Sequence, residues 1–125
     1  LKKHNAKDKE IPLAILKMSR EVIINFLQGM FDGDGMSTIK DIKYSSTSKK
    51  LIKTLQTLLL NFGIVSHIKK EVQKTSVSSI IPNKEHICII YNLKIYSDYA
   101  TKFYNEIGFR LDRKQKNSAN LLNKN

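Results

Sequence analysis

The sequence predicts an α+β domain of order αββαββα, one antiparallel sheet with its helices on one face. Three observations carry that expectation. Apolar residues fall at helical spacing in "SKKLIKTLQTLLLNFG", as Leu51, Leu55, Leu58, Leu59 and Phe62. They alternate in "HICIIYNLKI", as Ile87, Ile89, Tyr91 and Leu93. A helix-strand-strand unit occurs about twice with no linker between the copies, and 125 residues suit one domain with a modest core.

"LKKHNAKDKE" is polar, and Pro12 breaks the chain before the apolar run "IPLAILKM". Residues 1–18 therefore read as an N-terminal arm and lead-in, and residues 19–125 as the domain. The chain begins at Leu1 rather than Met, as a processed or excised piece would. "SREVIINFLQGMF" reads as a helix capped by Ser19, with Glu21 in the favourable first turn. Between Val22 and Phe31 only Asn25 and Gln28 are polar. A helix so apolar is buried on more than one side, and a single sheet covers only one.

"MSTIKDIKYSST" follows as two short strands or a tight hairpin. Ser48 can cap the second helix, and Gly63 suits the position after its end. "IVSHIKKEVQ" and "HICIIYNLKI" read as two strands, joined through "KTSVSSIIPNK", whose "PNK" is a turn. "SDYATKFYNEIG" is a third helix with Tyr99, Phe103 and Ile107 on one stripe and Gly108 at its end. The tail is basic, then amphipathic.

The chain holds 22 Lys and Arg against 11 Asp and Glu, a net charge of +11. Such a surface favours a polyanion, nucleic acid first and a membrane surface second. No apolar stretch is long enough to span a membrane, and no signal peptide pattern is visible. The single Cys88 excludes an intramolecular disulfide and reads as a small core residue. It suits a reducing, intracellular setting: the cytoplasm of a prokaryote or virus-infected cell, or an organelle matrix. His4, His67 and His86 are scattered and form no zinc pattern. Tyr91, Tyr99 and Tyr104 read as core or helix-packing residues, with Tyr96 left open as a base-stacking residue.

"FDGDG" falls where the first helix should stop. Carboxylates are unfavourable at a helix C-terminus, so Asp32 and Asp34 need compensation. A hard divalent cation would supply it, being held by carboxylate and carbonyl oxygens. An exposed Asp-Gly turn is the other reading of the bare dipeptides. The later ligands of an EF-hand loop are missing. Gly29 and Gly33, four apart, form a notch that admits a second helix across a two-fold axis. Two copies of Asp34 would then meet near that axis, the layout that metal-ion phosphodiester cleavage requires.

"LQGMFDGDG", Leu27 to Gly35, resembles the LAGLIDADG motif of homing endonucleases. "YSSTSKKLIKTLQTLLLNFGI" and "IGFRLDRKQK" are similar to flanking segments of the intein-encoded members. The resemblance implies a curved antiparallel sheet that lies in the major groove of double-stranded DNA. It implies Mg²⁺- or Mn²⁺-dependent, sequence-specific cleavage of both strands across the minor groove. Asp34 is similar to the metal-binding acid and Gly33 to the position whose carbonyl contacts metal. Asp32 resembles the helix-end acid of structural role. Lys114 resembles the active-site lysine that orders water and phosphate. Ser48 matches a polar position in the water network near the scissile bond. Phe26, Gln28, Gly29, Phe31, Asp32 and Gly33 would form the dimer interface, although Gln28 replaces the small alanine of the motif.

One motif implies a homodimer on a near-palindromic site; a two-motif member would be a monomer of roughly twice this size. The chain could equally be one half of a two-motif intein endonuclease, inactive without its partner. A DNA-binding protein or RNA-splicing maturase on the same scaffold is the non-cleaving alternative. For DNA contact the expected residues are Ser37, Thr38, Lys40, Lys43, Ser66, His67, Lys69 and Lys70 of the strands, with Arg110, Arg113 and Lys116 of the tail.

Overall fold

The computed structural model describes residues 8–38, 41–76 and 85–116. A short 3-10 helix, Leu13–Lys17, leads into α1 (Arg20–Asp34), then β1 (Gly35–Ser37), β2 (Asp41–Ser46) and α2 (Lys49–Asn61). β3 (His67–Ser76), β4 (Glu85–Tyr96), α3 (Ser97–Glu106) and the four-residue α4 (Asp112–Gln115) complete the chain. The order αββαββα holds, with the 3-10 helix and α4 as additions. Both predicted caps form. The Ser19 hydroxyl accepts from the Val22 amide at 3.4 Å, and the Ser48 hydroxyl from the Leu51 amide at 3.2 Å.

The four strands form one antiparallel sheet in the order β1-β2-β4-β3. Strand alternation divides the sheet into two faces. Ile42 and Tyr44 of β2, Ile68 of β3 and Tyr91, Leu93 and Ile95 of β4 turn toward the helices. Against them lie Leu27 and Phe31 of α1, Leu51, Ile52, Leu55, Leu58 and Leu59 of α2, and Ala100, Phe103 and Tyr104 of α3. Each such large side chain contributes roughly 1.5–3 kcal/mol when fully buried. The lead-in joins this core through Ile11, and the Ser48 hydroxyl donates to the Lys9 carbonyl.

Two expectations about burial change. Tyr99 is exposed, and Ala100, Phe103, Tyr104 and Ile107 form the buried stripe of α3 in its place. Cys88 is half-buried on the far side of the sheet, because it alternates with Ile87 and Ile89. Those two residues keep the covered-face parity, yet Ile87 is 62% exposed: the β3–β4 hairpin extends past the helices.

At the end of α3 the Gly108 amide donates to the Phe103 carbonyl, and Gly108 adopts φ +75°, a left-handed conformation that glycine accepts without strain. This turn returns Phe109 to the core and sends the following residues across α1.

Candidate functional site

α1 presents three faces. The first, Leu27 and Phe31 with Ile24 beside them, faces the core. The Phe31 ring meets those of Tyr44, Phe103 and Phe109 edge-on, with centroids at 5.3, 4.7 and 6.3 Å. The second face, Asn25, Gln28 and Asp32, is polar and engages the C-terminal segment. The third, Val22, Phe26, Gly29 and Gly33, follows the spacing of one helical stripe. Val22 is 43% exposed, and no described neighbour lies within 4 Å of where a Cβ would sit at Gly29 or Gly33.

The polar face is clasped. Gln28 donates from Nε2 to the Ile107 carbonyl at 2.7 Å and accepts from Arg110 Nε at 3.1 Å. Arg110 also reaches the Asn25 carbonyl oxygen Oδ1 at 3.1 Å. The Asp32 carboxylate accepts from the backbone amides of Arg110 and Leu111. Lys114, buried, sends Nζ to the carbonyls of Phe31 at 2.9 Å, Asp32 at 2.8 Å and Gly35 at 2.7 Å. Ser37 completes the clasp by donating to the Lys114 carbonyl at 2.9 Å. A cation at the carbonyl end of a helix is favourable, and three charge-assisted bonds fix it there.

Asp34 lies at the tip of α1, exposed. The Tyr44 hydroxyl donates to its Oδ2 at 3.4 Å. Burial first, then the neighbouring carboxylate of Asp34, pushes the Tyr44 hydroxyl up to about 12, so it stays a donor at neutral pH. Gly35 follows at close quarters. A Cβ there would come within 2.6 Å of the Phe31 carbonyl oxygen, so no other residue fits. The Gly33 carbonyl is not among the three that Lys114 takes.

The open face of the sheet carries the other chemistry. The register aligns Met36, Lys43, Lys94 and His67 in one row across the four strands. Lys43 and Lys94 are direct cross-strand partners, an arrangement that is repulsive without an anion. In the next row the Ser45 hydroxyl donates to Asn92 Oδ1 at 2.5 Å, and Asn92 Nδ2 donates to Glu71 Oε2 at 3.1 Å.

Residues 21–108 match the family model of the LAGLIDADG-like domain. The chain belongs to that family. Among curated proteins, a segment of the ATP-dependent DNA helicase Hel308 of Methanocaldococcus jannaschii is 34% identical over 113 residues, 87% of this chain and 9% of that protein. The probable translation initiation factor IF-2 of the same organism is 32% identical over 125 residues, 98% of this chain and 10% of its own length. Its glutamine–fructose-6-phosphate aminotransferase is 30% identical over 115 residues, 90% of this chain and 10% of that protein. The chain thus spans about a tenth of the length of each of these relatives.

In this LAGLIDADG-like domain the motif residues divide differently from the sequence expectation. Phe31 is not an interface residue, because it is wholly buried among three aromatic rings of its own chain. Gln28 and Asp32 face the C-terminal clasp rather than a second helix. Gln28 is longer than the motif's alanine because it has two partners to reach. The compensation that the motif acids require is supplied largely within the chain, by two amides at Asp32 and by the Lys114 ammonium.

Lys114, expected to order water and phosphate around the cut, is turned inward onto three carbonyls of the helix end. Ser48 is likewise turned inward: fully buried, its hydroxyl is used by the α2 cap and the Lys9 carbonyl.

Of the expected DNA contacts, Thr38, Lys43, His67 and Lys69 lie on or beside the open face. Ser37 and Lys70 have the opposite parity, Ser66 is buried before β3, and Arg110 is held on α1. Lys116 is exposed after α4, whereas Lys40 and the Arg113 side chain lie outside the described residues. Sequence reasoning missed Ser45, Glu71, Asn92 and Lys94. The signal was present, since the alternation that puts Ile87 to Leu93 on one face puts Asn92 and Lys94 on the other.

Proposed function

We propose that this domain is the DNA-cleaving unit of a homing endonuclease encoded within an intein. The observation that carries the reading is the third face of α1. Among the described residues it is apolar and part-exposed, with Val22 open and Phe26 half-buried against the core; it is notched by two glycines and ends at the exposed Asp34. A second motif helix on this face brings two such acids together above one duplex. The partner helix belongs to an identical chain on a near-palindromic site, or to a second motif of the same intein.

The oxygen donors at the helix end fit a hard divalent cation. Asp34 through its carboxylate and Gly33 through its carbonyl would hold Mg²⁺ or Mn²⁺, and a bound cation of this kind supplies activation of water and stabilisation of the leaving oxygen. These two donors leave a coordination shell incomplete, and a second motif helix would bring further oxygen donors to it. In that site Tyr44 orients the Asp34 carboxylate and Lys114 anchors the helix end behind it.

The basic row of Lys43, Lys94 and His67 supports docking of the open face on DNA phosphates. The intein setting is supported by the relatives. A helicase, an initiation factor and an aminotransferase are unlike in name, yet each matches this chain over about a tenth of its length, which suits an inserted element rather than a part of each host activity.

The test is a randomised duplex library incubated with the chain in Mg²⁺, Mn²⁺ or EDTA. Double-strand cuts at one recurrent site, abolished by EDTA and by Asp34→Asn, are expected. Specific binding without any cut in either metal would favour the non-cleaving reading on the same scaffold.

A further inference from the structure

We infer that Glu71 is a specificity-determining residue that accepts a hydrogen bond from the exocyclic amino group of a cytosine in the major groove. The inference rests on the proposed docking of the open sheet face on DNA and deepens it.

A carboxylate on a face meant for phosphates is costly unless it meets a donor. Glu71 is the only acid of β3, on the same face as His67, Lys69 and Gln73. Its neighbour Lys69 would be the ordinary partner. Yet among the described residues the salt bridge is Arg20–Glu106, and the partner of Glu71 is the Asn92 amide. That amide is not free to choose its orientation. Asn92 is only 7% exposed, and the Ser45 hydroxyl marks its Oδ1 as the acceptor, which turns Nδ2 toward Glu71. The three residues span β2, β4 and β3 and hold one carboxylate oxygen, Oε2.

Glu71 itself is exposed, which leaves its second carboxylate oxygen, Oε1, as the acceptor available to a ligand on this face. In the major groove such an acceptor is matched by the cytosine N4 amine. It is repelled by the O6 and N7 of guanine and the O4 of thymine. Adenine offers an amine too, but beside the N7 acceptor, which a carboxylate opposes and a glutamine amide satisfies.

The test is selection of bound duplexes from a randomised library by the wild-type chain, Glu71→Gln and Glu71→Ala, with thermal melts to verify folding. Wild type should prefer cytosine at one position of the site by on the order of ten-fold. Glu71→Gln should move that preference to adenine and leave every other position unchanged, and Glu71→Ala should erase it. Identical preferences in all three proteins would overturn the role of Glu71 while leaving sheet docking intact. A wild-type chain that binds no duplex of the library would overturn both, whereas binding with no base preference at any position would overturn the role of Glu71 alone.

Discussion

Lys114 donates its ammonium to the Gly35 carbonyl at 2.7 Å, inside the turn that ends the motif helix. With the Phe31 and Asp32 carbonyls, this uses the three protons the ammonium has to give. Lys114→Met should therefore destabilise the fold by about 1–3 kcal/mol, since three carbonyls lose a charged donor, although that of Phe31 keeps the Gly35 amide. Urea melts measure it. A melt unchanged from wild type, with cleavage lost, would return Lys114 to a role on the substrate.

The two motif acids should separate cleanly. Asp32→Ala removes the acceptor for the Arg110 and Leu111 amides, at a cost of about 1–3 kcal/mol in stability. Asp34→Ala, at an exposed position, removes one long bond, from the Tyr44 hydroxyl, and should shift the melt by no more than about 1 kcal/mol. Calorimetric titration with Mg²⁺ in the presence of DNA should show the reverse order, binding being weakened more by the change at Asp34.

Tyr44 predicts an alkaline limb. Its hydroxyl ionises near 10.0 when exposed and at about 12 in the fold. As pH rises the unfolded chain loses this proton first, so stability is intact below pH 10 and falls between about 10 and about 12. Tyr44→Phe should remove that part of the decline. Equal slopes for the two proteins in denaturant melts above pH 10 would contradict the buried, Asp34-facing hydroxyl.

Gly29→Ala should act with opposite signs on two measurements. The added methyl meets none of the described residues, so the helix gains about 0.5–1 kcal/mol. The same methyl fills the notch on the third face and should weaken self-association in sedimentation equilibrium. A tighter dimer in the variant would place the interface elsewhere.

What the sequence made legible was what local chemistry decides. Ser19 and Ser48 cap helices because their partners lie three residues away, and strand parity follows from alternation within β4. The motif acids were placed correctly at the end of α1 for the same reason. Gln28 was opaque because its partners, Ile107 and Arg110, lie 79 and 82 residues on. Lys114 was legible as a notable lysine through the family pattern, but its direction was not. A lysine beside a motif points at substrate or at backbone according to how the last turn of chain packs, and no spacing rule encodes that. The open face shows the same limit. Its lysines were visible, whereas the Ser45–Asn92–Glu71 bridge needed the register of three strands.

The clasp also has a meaning in time. Gln28, Asp32 and the end of α1 are secured by residues between Ile107 and Lys114, so the ribosome must deliver both ends before the motif sets. At roughly 5–20 residues per second the delay between them is several seconds. During that interval the Asp34 tip lacks its anchor. Whatever chemistry belongs to that tip is withheld from a nascent chain until Lys114 has been made and folded back.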